Sequence, residues 1–116
     1  MRRIDFYKTE AGRSPVDDFL EGLDHKQALK VFWVLKLVKE LEAVPGQYFQ
    51  KMKGTDDLWE MRVQVGNNIF RLLGFFHGRD WVVLTNGFAK KDQKTPRMEI
   101  DLVEQRKRDY LARYKH

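Results

Sequence analysis

Between Leu58 and Val65 the chain alternates without a break, Trp59, Met61, Val63 and Val65 apolar against Glu60, Arg62 and Gln64 polar. Successive side chains of a strand point to opposite faces, so this period of two predicts a half-buried strand. Gly66-Asn67-Asn68 follows as turn chemistry, and Ile69 to Phe76 supplies the returning strand. A two-residue turn at Gly66-Asn67 places Val65 opposite Asn68, Met61 opposite Leu72, Val63 opposite Phe70 and Arg62 directly opposite Arg71. A four-residue turn shifts the partners but keeps both arginines on one face. A three-residue turn separates them, and hydrophobic matching favours the even lengths. Two arginines opposed on a sheet repel each other unless an anion lies over them, or an acid such as Glu60 neutralises them.

Around this hairpin the other elements follow from local signals. Ile4-Asp5-Phe6-Tyr7 reads as a short strand ended by the turn-prone Thr9-Glu10-Ala11-Gly12. Ser14 as N-cap, Pro15 at the first position and Asp17 as a capping-box acid open a short helix that buries Phe19, Leu20 and Leu23. Gly22 and Asp24 interrupt it. Asp24 with Gln27 then caps a second helix running to about Ala43, where Val44-Pro45-Gly46 closes it. Leu29, Phe32, Leu35, Val38 and Leu41 stand near helical spacing and form its expected core stripe. Val31, Trp33, Val34 and Leu37 widen the apolar band, which leaves surface for a partner as well as for the core.

His77-Gly78-Arg79-Asp80 turns into a third strand, Trp81 to Thr85. The run Gly87-Phe88-Ala89-Lys90-Lys91-Asp92-Gln93-Lys94-Thr95-Pro96 is then a lysine-rich connection, anchored by Phe88, that ends on Thr95 as N-cap and Pro96 at the first helical position. The final helix carries Ile100, Val103, Tyr110 and Tyr114 near one face, with acids early and most bases late, as the helix dipole prefers. The expected class is α+β: an N-terminal strand, two helices, a three-stranded antiparallel meander and a C-terminal helix, in one domain spanning 1–116.

At 116 residues the chain can bury a core without disulfides or metals, and it has no cysteine. That excludes thiol catalysis and cysteine-based zinc sites and suits a reducing cytoplasm. The N-terminus lacks a signal-peptide pattern and no segment approaches the roughly 20 apolar residues of a membrane span, so a soluble cytoplasmic protein is expected. Residues 88–116 hold nine basic and five acidic side chains, so most of the net charge of +5 lies there, which points to an anionic partner such as nucleic acid. His25, His77 and His116 are scattered, and Asp57, Glu60 and Arg62 have no spacing specific to a magnesium nuclease. No metal or cofactor is expected, and no phosphate loop, serine triad or dinucleotide fingerprint is present.

Phe6-Tyr7-Lys8, Ser14-Pro15-Val16-Asp17-Asp18-Phe19, Leu58-Trp59-Glu60-Met61-Arg62, Phe70-Arg71, Gly87-Phe88-Ala89-Lys90-Lys91, Thr95-Pro96 and Glu99-Ile100 occur in that order. Together they resemble the HigB-type, phage-derived branch of the RelE/ParE toxin superfamily. The resemblance implies a RelE-like toxin of a type II toxin–antitoxin pair that cuts mRNA on the ribosome without a metal, the 2′-OH attacking the adjacent phosphate. It also implies a helix-turn-helix, HigA-like antitoxin as partner. By position Arg71 matches the family's strand arginine and would stabilise transition-state charge. Arg62 matches a basic strand position, and Lys90 or Lys91 the basic residue after the last strand. Lys51, Lys53, Lys94 and Arg97 are candidates for contacts to the RNA backbone. The C-terminal tyrosine or histidine that some members use for acid/base work has no counterpart here, Tyr110 and Tyr114 reading as packing residues. A lysine with a depressed pKa could serve as base. Two other readings stand beside this one: a ParE-like toxin that binds gyrase without cutting RNA, and a catalytically inactive nucleic-acid-binding module.

Overall fold

The computed structural model describes residues 1–90 and 95–114, with the backbone alone at Lys90. Its order is β1 (Arg3–Phe6), α1 (Pro15–Glu21), α2 (His25–Glu40), β2 (Phe49–Lys51), β3 (Leu58–Val65), β4 (Asn68–Phe76), β5 (Trp81–Lys90) and α3 (Arg97–Arg113). The five strands form one mixed sheet in the order β1-β5-β4-β3-β2, with β1 parallel to β5 and every other pair antiparallel. The fold is α+β and compatible with a RelE-like architecture.

The hairpin register is the one that a two-residue turn requires: Val65 pairs with Asn68, Val63 with Phe70, Arg62 with Arg71 and Met61 with Leu72. Gly66 has φ 60° while Asn67 has no positive φ, the pattern of a type II′ turn with glycine at its first central position. β2 was not legible from the sequence. Its three residues bury only Phe49 and are too short to display a period.

α1 and α2 cover one face of the sheet, where Val16, Leu20, Val31, Val34 and Val38 pack on Met61, Val63, Phe70, Leu72, Val82 and Leu84. On the opposite face α3 brings Val103 and Tyr110 onto Tyr7, Leu58, Leu73, Phe75 and Val83. The expected stripe of α2 is therefore corrected. Its buried line is Val31, Val34 and Val38, while Leu29, Phe32 and Trp33 stay 45–55% exposed. Short β-branched side chains let the helix lie close to the sheet and displace the bulkier ones to its flank. Both halves of the capping box at Asp24 and Gln27 form. At α1 the Ser14 hydroxyl accepts from Asp17 N, but among the described residues no return bond from the Asp17 side chain forms.

α2 stops at Glu40 rather than Ala43. The Arg2 guanidinium donates to the carbonyls of Val38 (2.9 Å), Leu41 (2.6 Å) and Glu42 (2.9 Å), satisfying carbonyls at and just beyond the helix end that further helical turns would otherwise have to satisfy. β5 runs on to Lys90, so the first four residues of the expected 87–96 connection belong to a strand. A β-bulge makes the extension compatible with the sheet: Leu73 pairs with Asn86 and Gly74 with Leu84, leaving Thr85 without a partner. The Thr85 carbonyl, out of the ladder, accepts from Arg106 of α3 at 2.9 Å, and Asn86 Nδ2 donates to Glu99 of the same helix at 2.8 Å.

Candidate nucleic-acid interface

Along the α3 side of β3 and β4 the sheet changes character. Leu58, Leu73 and Phe75 lie beneath the helix, whereas towards the hairpin turn the same face carries Glu60, Arg62, Gln64, Ile69 and Arg71. The two opposed arginines share one carboxylate. Arg71 Nη1 donates to Glu60 Oε1 at 2.6 Å, and Arg62 Nε lies 3.6 Å from the same oxygen. The second oxygen, Glu60 Oε2, accepts from the Thr95 hydroxyl at 3.2 Å. A buried ion pair offsets its desolvation only when its remaining lone pairs are also engaged, and Thr95 meets part of that need. Glu60 thus neutralises much of the repulsion that the register creates.

The two arginines differ in access. The Arg71 side chain is 3% exposed and that of Arg62 is 33% exposed. Arg62 is accordingly the guanidinium that an incoming anion can meet, with Arg71 behind it in a buried ion pair with Glu60. Thr95 does not cap α3 as expected. Pro96 occupies the cap position without a side-chain bond, because the Thr95 hydroxyl is committed to Glu60.

The other expected site residues are dispersed. Lys51 stands opposite Trp59, whose ring packs with the α1/α2 core, so it lies on the sheet face away from Arg62, and it pairs with Asp57 at 3.7 Å. Lys53 is exposed in the turn after β2. Arg97 opens α3 and pairs with Asp101 at 3.0 Å. Lys90 is the last residue of β5, at the register position opposite Ile69, and Phe88, opposite Arg71, is half-buried beside the second core. Lys91 and Lys94 lie outside the described residues.

Thr95, Lys30, Tyr48, Gln47 and Gln64 carry no functional signal in the sequence. Thr95 reaches the site from the start of α3. Lys30 of α2 and Tyr48, just before β2, join Arg62, Gln47, Gln64 and Ile69 around a cleft of about 330 Å³ at the edge of β3. Tyr48 O accepts from Arg62 N at 2.8 Å, which fixes this segment against the strand. Helical period marks Lys30 only as a surface lysine, and nothing near Tyr48 announces an edge strand.

The two C-terminal tyrosines, Tyr110 in α3 and Tyr114 just after it, sit elsewhere. Tyr110 is buried, its hydroxyl 3.0 Å from His77 Nδ1, and burial first, then Asp5, pushes its pKa up. Tyr114 is half-exposed and tilted on Tyr110 with ring centroids 4.6 Å apart. Among the described residues no group of three or more His, Cys, Asp or Glu stands together as an ion site, and no helix is long and apolar enough to cross a membrane.

A helix-flanked mixed sheet with a cationic patch at one end is an architecture compatible with the RelE-like toxins. The profile of the family described as phage derived protein Gp49-like matches residues 18–108, most of the chain, and the protein belongs to that family, part of the RelE/ParE-like toxin superfamily. Among curated proteins none matches this chain.

Proposed function

We propose that this chain is the toxin of a type II toxin–antitoxin pair, of HigB type, and that it cuts mRNA on the ribosome in the cytoplasm without a metal. The observation that carries the reading is the pairing of an accessible Arg62 with a buried Arg71 on one sheet face, in a member of a toxin superfamily. In the reaction the 2′-oxygen bonds to phosphorus, the bond to the 5′-oxygen breaks, and the leaving oxygen takes a proton. Negative charge gathers on the phosphorane oxygens. Arg62 is placed to donate to them, and Glu60, fixed by Arg71, holds the Arg62 guanidinium in position so that little reorganisation is needed. Lys90 and Lys91 remain the candidates for proton transfer at the 2′-OH or the leaving oxygen.

A helix-turn-helix antitoxin is the expected partner. The test is expression with and without the neighbouring antitoxin while mRNA 5′ ends are mapped. Codon-linked cuts in translated messages, suppressed by the antitoxin, are expected. Growth arrest without such cuts would overturn the reading in favour of a gyrase-directed, ParE-like toxin.

A further inference from the structure

The polar lining of the cleft at the β3 edge comes from three separate parts of the chain, and Ile69 of β4 adds an apolar wall. Lys30 comes from α2, Gln47 and Tyr48 from the segment before β2, and Arg62 and Gln64 from β3. At about 330 Å³ it lies at the low end of the roughly 300–1,000 Å³ typical of small-molecule sites, room for one nucleotide and too little for a duplex.

Its chemistry is mixed in a specific way. Among the described residues Lys30 meets no carboxylate, and its ammonium lies 4.3 Å from the centre of the Trp33 ring, which positions it. Trp33 in turn meets Tyr48 edge-on, ring centroids 5.6 Å apart. Glu60 is the only acid that Arg62 meets among the described residues, at 3.6 Å through Nε. The cleft thus combines two cations, a tyrosine ring and two carboxamides. Aromatic faces stack with unpaired bases, amides read base edges, and Lys and Arg hold the phosphate.

We propose that this cleft is a subsite for one unpaired nucleotide of the RNA strand, adjacent to the scissile phosphate. Lys30 and Arg62 hold its phosphate, Tyr48 stacks with its base, and Gln47 and Gln64 hydrogen-bond the base edge. The inference rests on the RNase reading above and adds Lys30, Tyr48, Gln47 and Gln64 as binding residues. An acidic protein segment is the competing occupant. It would use Lys30 and Arg62 but has no need of a stacking ring flanked by carboxamides.

The test uses the full chain and a fluorescent single-stranded oligoribonucleotide made uncleavable by 2′-O-methyl groups, titrated by anisotropy at several salt concentrations. Lys30→Ala is expected to weaken binding about tenfold and to reduce the slope of log K against log salt by about 0.7, the loss of one phosphate contact on a single strand. Lys30→Arg should restore both, and Lys36→Ala, on exposed α2 outside the cleft, should stay within about twofold of the parent. Equal effects of Lys30→Ala and Lys36→Ala would overturn the subsite. Mapping mRNA cuts with the same proteins separates the two failures. If the parent and Lys30→Ala cut and bind alike, only the subsite falls. If the parent neither binds nor cuts RNA, the RNase reading falls with it.

Discussion

Glu60 and Arg71 form a 2.6 Å ion pair whose side chains are 5% and 3% exposed, directly behind an Arg62 that remains one-third exposed. This geometry separates two roles that residue type alone would merge. Removing one member of a buried pair leaves the other charged and desolvated, a loss of about 3–5 kcal/mol. Arg71→Ala should therefore lower unfolding free energy by that order, whereas Arg62→Ala should change it by less than about 1 kcal/mol, as partly exposed pairs do. Urea denaturation of the two variants measures the difference, and equal losses would show that Arg71 does not hold the sheet together through Glu60.

The catalytic comparison follows from the same contrast. Arg71→Ala cannot report cleanly on chemistry because the fold itself is at stake, so Arg62 is the informative position. Loss of a preorganised donor to a developing oxyanion typically costs about 100- to 1,000-fold in rate. Arg62→Ala should show a fall of that size in cleavage of ribosome-bound mRNA while its circular dichroism and melting stay near those of the parent. Arg62→Lys keeps the charge but not the planar fork and should recover only part of the rate. Parent-like cleavage by Arg62→Ala would remove Arg62 from the mechanism.

The hairpin was legible in the sequence because its alternation and its turn residues fix a register between them. Even the placement of Glu60 on the arginine face follows from parity. What parity could not give was depth, namely that Arg71 is covered and Arg62 is not. The buried line of α2 is hidden in its sequence because apolar residues fall on most of its circumference, and helical period then carries little directional information. The bulge at Thr85 was hidden for a similar reason. Trp81 to Thr85 is almost uniformly apolar, so no alternation exists for the bulge to interrupt, and the glycine and lysines that follow look like a connection although β5 extends to Lys90. Arg2 at the end of α2 and Thr95 on Glu60 are contacts between residues more than 30 positions apart, beyond the reach of local signals.

Gly74 sits at that bulge, and space rather than backbone freedom requires the glycine. A Cβ at Gly74 would lie 2.1 Å from the Val83 carbonyl oxygen and 2.9 Å from Leu84 Cα, both main-chain atoms that cannot rotate away. Gly74→Ala must therefore push β4 and β5 apart where the register shifts, and the Asn86 bond to Glu99 depends on that shift. Overpacking of a core commonly costs about 1–3 kcal/mol, and contact with the main chain of β5, which cannot rotate away, puts this variant at or above the upper end. A denaturation midpoint within error of the parent would show that the sheet can relax around the added methyl.

The C-terminal half of α3 is tied to the chain after β1 by a group of three side chains whose response to pH has a definite sign. The Tyr7 hydroxyl donates to Asp109 Oδ2 at 2.5 Å, Arg113 donates to the same oxygen at 2.8 Å, and Arg113 also reaches the Lys8 carbonyl. The Tyr7 hydrogen bond, aided by Arg113, holds the Asp109 carboxyl below its ordinary value of 3.8. Burial, then the bond to Asp109, pushes Tyr7 above its ordinary 10.0. For Asp109, whose folded pKa is the lower one, the stabilisation is complete above the ordinary carboxylate value and is lost as pH falls through the folded one. For Tyr7, whose folded pKa is the higher one, it is complete below the ordinary phenol value and is lost as pH rises through the folded one. Tyr7→Phe removes the hydroxyl that links them. Its melting temperature should be lower than the parent's at neutral pH, and the gap should narrow below about pH 4 and again above about pH 10. Melting curves collected from acid to alkaline pH for both proteins test this, and a gap that stays constant across the range would show that the hydrogen bond is not what couples these residues to stability.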